Sequence, residues 1–368
     1  MTTDEPHAMK WVPSPADDLV IGPLRWTGTA VVTDVSHAYA ERIITLGLIE
    51  RMLLDMMDGE RDVHELRAAL TSDSIDVSTE RLFQILNKFA LYGIVQRPFT
   101  SVRGAVASDV TEGGDRAVLE DSAATRRFGD GLLNAWQHLG WLSRPVPYIM
   151  LLVLGLLGAA GLAFSVPDAL AESTTNPSWA GLGLCTVVAV CWHLCVTLLH
   201  ENAHAGTFHR ISGRRPQLGV IGFGVIPLPN SRLSGLLLLS SSSRAQIIAA
   251  GPAASAALAL APVAVWQLSE QGTWLNQLAG ISVCLETAVL ALGVSFFPNT
   301  DGSRLLEAWA LVDQIQQVAF RTLTGKNRLP AALPTHTRLL VRVYPILLAL
   351  TIVVWVLAAV GAIRLVLT

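Results

Sequence analysis

The residues of this chain that could do chemistry are two histidines and a glutamate near its middle. His200-Glu201-Asn202-Ala203-His204 forms an H-E-x-x-H pattern at the end of a long apolar run. Residues four apart share one face of a helix, so the two histidines can offer their imidazoles to one metal ion. Glu201 stands beside them and could take a proton from a water molecule. Ionisable groups at the margin of a membrane helix are costly unless they function or pair, so the pattern predicts a catalytic zinc site.

A third ligand is needed, because hydrolytic zinc sites use three protein side chains and leave the fourth position to water. The candidate is Asp301, in the segment SFFPNTDGSRLLE that ends another apolar run. An Asp-Gly pair after a helix is more often a simple turn. Here the acid emerges at the depth of His200 and His204, so Asp301 is predicted to complete the site.

The composition indicates a membrane protein with a cytosolic beginning. Of 368 residues, 51% are hydrophobic and 15% are charged, and the mean hydropathy is +0.47, too apolar for one soluble globule. The opening residues, MTTDEPHAMKWVPSP, are polar and no apolar core follows them, so no signal peptide is expected.

Five runs of about twenty apolar residues are long enough to cross a bilayer. They are 148–166, 180–200, 245–268, 274–297 and 344–363. The connections PDALAESTTNPS and SEQGT carry no Lys or Arg, whereas basic residues gather in the other connections, which belong in the cytosol by the positive-inside rule. This predicts a multi-pass protein of a bacterial-type plasma membrane. Its amino terminus and H-E-x-x-H pattern face the cytosol and its carboxyl terminus lies outside.

An apolar, glycine-rich segment, QLGVIGFGVIP at 217–227, lies between the second and third runs and is too short to cross. Such backbone is tolerated at membrane depth only where it faces protein or a watery cavity. It is predicted to form a re-entrant hairpin whose edge, with Gly222 and Gly224, binds an extended substrate. An ordinary surface hairpin is the alternative.

Residues 1–100 alternate strand-like and helix-like patterns that predict a small α+β domain with a winged-helix layout. Strands are expected at 26–34 and 38–44, helices at 46–57, at 62–70 and from Ser78 onwards, and a wing at 94–97. Winged helices often bind DNA, but residues 1–100 contain nine Lys and Arg and fifteen Asp and Glu, so their net charge is negative. That is the wrong sign for a phosphate-binding surface, so no nucleic acid partner is expected. A peptide added along the strand at 38–44 fits better.

Two segments join this domain to the apolar runs. Residues 101–127 are rich in small and polar residues without periodicity, which predicts a flexible linker. Residues 128–144 include Trp136 and Trp141 among leucines, which is typical of a helix lying on the membrane surface. A helix packed on the soluble domain is the alternative.

Three motifs on successive runs together resemble the site-2 protease family of intramembrane zinc metalloproteases. They are HENAH, AAGPAAS and PNTDG, in that order. The resemblance covers about residues 145–320 and implies a transmembrane zinc metalloprotease domain, whose predicted bounds are 145–368. It implies His200, His204 and Asp301 as ligands of one Zn²⁺ ion and Glu201 as the general base.

The chain departs from the family pattern at two positions. Ser255 stands where the AAGPAAS motif of the family often ends in Asn, and it is counted as a candidate substrate-binding residue. Pro298 lies only three residues before Asp301, whereas the family's acidic motif is usually longer. The second departure weakens the local alignment without removing the ligand.

The first domain resembles the PqqD-like domain, the recognition element of ribosomally made, modified peptides. The strand pair, LLDMMDGERDVHELRAAL, a third helix and LYGIVQ carry the resemblance over residues 20–98. It implies a groove between the strand at 38–44 and the third helix that binds a leader peptide. Ala38, Tyr39 and Ile43 are the candidate contacts. A regulatory or packing domain is the alternative.

Two further polar residues, His193 and Glu286, lie inside apolar runs. They fall at comparable depth, and pairing would explain how both are tolerated in lipid. A structural pair is preferred to a proton relay.

Both parts together resemble membrane metallopeptidases of ribosomal peptide pathways, such as the daptide type, which remove leaders from modified precursors. The expected function is zinc-dependent hydrolysis of a peptide bond at the cytosolic side of the membrane. The expected partners are a precursor or leader peptide and the lipid bilayer. The alternatives are a regulatory protease of a membrane-anchored signalling protein and a non-catalytic peptide receptor or export partner with the same fold.

Overall fold

The computed structural model describes two compact units of the chain, Met1–Leu119 and Glu120–Thr368. The described residues are 11–38, 43–95, 145–175, 179–223, 226–326, 329–330 and 333–367. The predicted linker at 101–127 and the predicted surface helix at 128–144 lie outside these described residues.

The first unit contains a small antiparallel sheet. Its strands are β1 (Leu19–Ile21), β2 (Arg25–Trp26), β3 (Val31–His37) and β4 (Ile44–Gly47). β3 is the central strand, because Val35 pairs with Ile21 of β1 on one side and with Ile44 of β4 on the other. β2 pairs with the beginning of β3.

Both strand predictions in this unit are wrong in their bounds. The strand expected at 26–34 is interrupted by a tight turn, in which the N–H of Thr27 donates to the carbonyl of Ala30 at 3.0 Å and Gly28 has a φ of 92°. The strand expected at 38–44 differs at both ends, because β3 ends at His37 and β4 begins at Ile44, and residues 39–42 between them lie outside the described part of the chain. Alternating apolar residues cannot distinguish one long strand from two strands joined by a turn.

The described residues of the first unit also form three helices. They are α1 (Leu48–Met56), α2 (Val63–Ser72) and α3 (Thr79–Leu91). α1 begins later than predicted because Leu46 and Gly47 pair with β3. The hydroxyl of Ser78 accepts the N–H of Arg81 and caps α3, as predicted. One apolar core lies between helices and sheet, with fully buried Leu53, Leu66, Leu82, Leu86 and Phe89.

The wing predicted after the third helix is described only at its beginning. Val95 forms an isolated bridge with Pro15, and residues 96–97 lie outside the described part of the chain. The unit is therefore a small α+β domain, and its winged-helix layout stays a prediction.

The second unit is mostly helical. Its elements are α4 (Pro145–Thr175), α5 (Trp179–Ser212), β5 (Gln217–Phe223), β6 (Ile226–Arg232), a 3₁₀ turn (Leu236–Leu238), α6 (Ser241–Leu258), α7 (Leu260–Leu268), α8 (Trp274–Val294), α9 (Asp301–Ala310), α10 (Ile315–Leu323) and α11 (Thr335–Leu367).

In the part of the chain that the structure describes, five helical stretches are long and apolar enough to cross a membrane. They are Ile149–Ala169, Gly183–Ser212, Ser241–Leu268, Trp274–Val294 and Thr335–Gly361. They confirm the five predicted runs and indicate a multi-pass membrane protein. The third run is divided into α6 and α7 at Ala259. Pro262 has no N–H for the carbonyl four residues earlier, which explains a break at this point.

α6 packs tightly against α4 because both helices present small residues to each other. A Cβ atom at Gly155 would lie 2.9 Å from the carbonyl oxygen of Ala253, and one at Gly158 would overlap the carbonyl of Ala256. Small residues let membrane helices approach backbone to backbone. This contact fixes α6, which forms one wall of the candidate site.

β5 and β6 form the predicted hairpin. The strands are antiparallel, with Gln217 opposite Arg232 and Phe223 opposite Ile226. Residues 224–225 at its tip lie outside the described residues. Its re-entrant position in a membrane stays a prediction.

Candidate metal centre

The three predicted ligands converge in the second unit. The Nε2 atoms of His200 and His204 are 3.0 Å apart. Asp301 places Oδ2 3.1 Å from His200 Nε2 and Oδ1 3.6 Å from His204 Nε2. One donor atom from each residue lies within 4.8 Å of the others, so the group could hold a metal ion.

The two histidine rings are oriented by α6, which packs beside α5. Nδ1 of His204 lies 2.7 Å from the carbonyl oxygen of Ile247. Because a carbonyl only accepts, Nδ1 carries a proton, so the neutral ring would present the lone pair of Nε2 to a bound ion. Nδ1 of His200 lies 2.9 Å from the hydroxyl oxygen of Ser255. Partners of this kind fix the ring orientation that a metal requires.

Asp301 is placed by the sharp connection between α8 and α9. Asn299 adopts a left-handed φ of 66°, and the Thr300 hydroxyl donates to the carbonyl of Ser295 at 2.6 Å. A Cβ atom at Gly302 would overlap the carbonyl oxygens at the end of α8. Only glycine therefore allows α9 to start so close to α8, with Asp301 as its first residue.

The charge of Asp301 is favoured by its neighbours. Burial alone would raise the pKa of this carboxyl, but hydrogen bonds with His200 and His204 outweigh burial and hold the pKa well below its ordinary value. The residue therefore offers a carboxylate to the cluster at neutral pH.

Gly251 of α6 leaves room beside the histidines. A Cβ atom at this position would overlap His204 and lie 2.6 Å from Nε2 of His200. The residue belongs to the AAGPAAS motif, but its motif position did not predict that it faces the ring nitrogens. The space in front of the two Nε2 atoms exists because Gly251 has no side chain.

Glu201, the predicted base, is held by the hairpin. Its Oε2 accepts the backbone N–H of Ser231 at 2.8 Å and the hydroxyl of Ser231 at 2.6 Å. Ser231 lies in β6 and was not predicted, because nothing in its local sequence marks it as a partner of a residue thirty positions earlier.

The predicted pair of polar residues inside the apolar runs is confirmed. Nδ1 of His193 lies 3.3 Å from both carboxylate oxygens of Glu286, and Glu286 is buried. The hydroxyl of Thr197 lies 3.3 Å from the other ring nitrogen of His193. Each polar atom thus has a partner away from water.

The candidate substrate-binding residues fall in different places. Ala38 follows β3 and Ile43 precedes β4, whereas Tyr39 lies outside the described residues. Gly222 belongs to β5, whereas Gly224 is likewise outside the described part.

Ser255 lies against His200, away from the metal-facing nitrogen. Its contact in the structure is therefore with a ligand ring, and its role in substrate binding stays a prediction.

Comparisons with protein-family models, with curated proteins and with solved structures found no match. The residues of the site and their geometry are thus the basis for assigning chemistry to this chain.

Proposed function

We propose that the protein is a membrane-embedded zinc metallopeptidase that hydrolyses a peptide bond at the cytosolic side of the plasma membrane. The observation that carries the proposal is the convergence of two imidazole nitrogens and a carboxylate oxygen in front of Gly251, with Glu201 next to His200 in the chain. Two histidines, one acid and an open fourth position suit catalytic zinc.

The distances support zinc. Ligand atoms about 2.0 to 2.1 Å from a tetrahedral ion lie about 3.3 Å from one another. The three separations among His200, His204 and Asp301 are 3.0, 3.1 and 3.6 Å, on both sides of that value. In its neutral form His204 would present the lone pair of Nε2 to the ion, since Nδ1 donates to a carbonyl. The donor set therefore fits an ion without rearrangement of the helices.

The residues divide the work of hydrolysis among them. Bound zinc would supply a Lewis acid that polarises the scissile carbonyl and makes water acidic. Glu201 accepts a proton as water adds to the carbonyl carbon, and it returns that proton to the amine as the C–N bond breaks. Ile247 and Ser255 keep the histidine rings in place.

The substrate that fits best is an extended peptide delivered by the first unit. Helical peptides shield their carbonyls by hydrogen bonding and must unwind before hydrolysis. A leader peptide of a ribosomally made, modified precursor, bound along the small sheet of the first unit, would arrive already extended. The proposed role of this unit rests on its order of strands and helices.

The Glu201→Gln variant tests the mechanism. Gln keeps the size of the side chain but cannot accept the proton, so we expect full zinc content and no cleavage. His204→Ala should lose both zinc and cleavage. Zinc per protein by metal analysis and peptide cleavage by mass spectrometry are the measurements. Normal cleavage by Glu201→Gln would contradict the assignment.

A further inference from the structure

We propose that Ser231 is a positioning residue that orients Glu201 for proton transfer and thereby makes strand β6 part of the reaction machinery. The inference rests on the proposed metallopeptidase function and adds a residue that neither the H-E-x-x-H pattern nor the acidic motif contains.

The two hydrogen bonds from Ser231 leave half of the carboxylate available. Backbone N–H and hydroxyl both donate to Oε2 of Glu201, at 2.8 and 2.6 Å. Among the described residues, Oε1 receives no hydrogen bond. A general base needs one oxygen fixed for orientation and one oxygen free to accept the proton. This division favours positioning over inhibition, because an inhibitory contact would have to block the accepting oxygen.

The register of the hairpin shows that β6 is adapted to this contact. In an antiparallel pair, successive residues turn their N–H groups alternately toward and away from the partner strand. The N–H of Ser231 turns away from β5 to Glu201, so those of residues 229 and 227 would turn the same way. Both residues are prolines, which have no N–H.

The outward edge of β6, within Ile226–Arg232, therefore has a single N–H, and that group is committed to Glu201. The prolines cost no bond to β5, because their positions need none. They also make this edge unsuitable for pairing with a further strand, because a pairing strand needs N–H donors that the prolines lack. The outward edge of β6 therefore contacts Glu201 through Ser231.

The test uses the full-length zinc-loaded protein in lipid nanodiscs. Ser231→Ala removes the hydroxyl and keeps the N–H, and we expect kcat to fall about 10- to 100-fold with KM and zinc content unchanged. Ser231→Thr retains the hydroxyl and should restore most of kcat. Ser242→Ala removes an exposed serine at the beginning of α6 and serves as the control. If the wild type cleaves peptide and Ser231→Ala has an unchanged or higher kcat, the positioning role of Ser231 is wrong while the proposed peptidase function stands.

Amide hydrogen exchange of β6 gives a second measurement that does not depend on turnover. The Ser231 amide should be protected in the wild type and should exchange faster in Glu201→Ala, because its acceptor is gone. Equal exchange in both proteins would overturn the contact. Absence of zinc-dependent cleavage in the wild type would refute the proposed function and the catalytic role of Ser231 together, whatever the exchange result.

Discussion

Single residues decide whether the cluster has room for an ion. The ligands His200, His204 and Asp301 supply the donor atoms, but Gly251 supplies the space in front of them. A side chain at this position would compete with the ion for the same volume. The site therefore depends on an absent side chain as much as on the three that are present.

Gly251→Ala is expected to lose most bound zinc while the helices stay folded. The added methyl group would meet both metal-facing nitrogens, and α6 cannot retreat because α4 packs against it. Gly183→Ala is the matched control, since a Cβ atom there has no neighbour within 4 Å. Metal analysis and circular dichroism are the measurements. Full zinc content in Gly251→Ala would show that the ion binds elsewhere.

At this scale the sequence predicted the cluster of candidate ligands but not the residues that support it. His200 and His204 follow from helical spacing, and Asp301 follows from an acid that emerges at matching depth. Ile247, Ser231 and the role of Gly251 depend on how segments distant in the chain approach one another. A single sequence carries no information on such approaches.

Among the elements, α9 has the tightest constraints, because it carries Asp301 at its first residue. At its end, the hydroxyl of Ser241 donates to the carbonyl of Ala308 at 2.6 Å, and the hydroxyl of Thr337 donates to that of Ala310 at 2.9 Å. These donors come from α6 and α11. Helix ends leave carbonyls without partners, and here two other helices satisfy them.

Glu307 of α9 makes stability depend on pH. Burial raises the pKa of its carboxyl to about 7, although Oε1 accepts the N–H of Ile315 at 3.0 Å. Between its ordinary pKa and about 7, the folded state keeps a proton that the unfolded state has released, so stability falls as the pH rises through this range.

Glu307→Gln should remove that pH dependence. Gln can accept the same N–H and stays neutral, so we expect a higher melting temperature than the wild type at about pH 8 and a similar one at about pH 5. Thermal melts of the purified protein in detergent at both pH values provide the comparison. The same slope with pH in both proteins would exclude Glu307 as its source.

Element boundaries were less predictable than element types. The helix of α1 starts at Leu48 because Leu46 and Gly47 are taken by pairing with β3. The strand expected at 38–44 differs at its ends, since β3 ends at His37 and β4 begins at Ile44, and a strand is defined by its partner as much as by its own residues. The apolar runs were placed well, because length and hydropathy alone define them.

On the scale of the whole molecule, the proposed recognition and the proposed chemistry fall in separate units. The first unit has its own buried core, with Leu53, Leu86 and Phe89 fully enclosed, and all the candidate ligands lie in the second unit. A unit with its own core can fold by itself. The proposed division of labour can therefore be tested by cutting between the units.

A fragment of residues 120–368 should keep zinc and cleave a short leaderless peptide with unchanged kcat. For a full precursor peptide we expect its KM to rise about tenfold or more, because the second binding contact is lost. The fragment 1–119 should bind the leader alone in calorimetry. Equal KM values for both peptides in the two proteins would assign the first unit a role other than peptide recognition.

The close packing of α4 on α6 restricts how a peptide could reach the candidate metal centre from the side. Gly158 lies against the main chain of Ala256, so a shift of one helix along the other would bring backbone atoms into collision. We therefore expect α4 and α6 to move together as one rigid body. For the same reason we expect a lateral entrance from the lipid to the candidate metal centre to lie between another pair of helices.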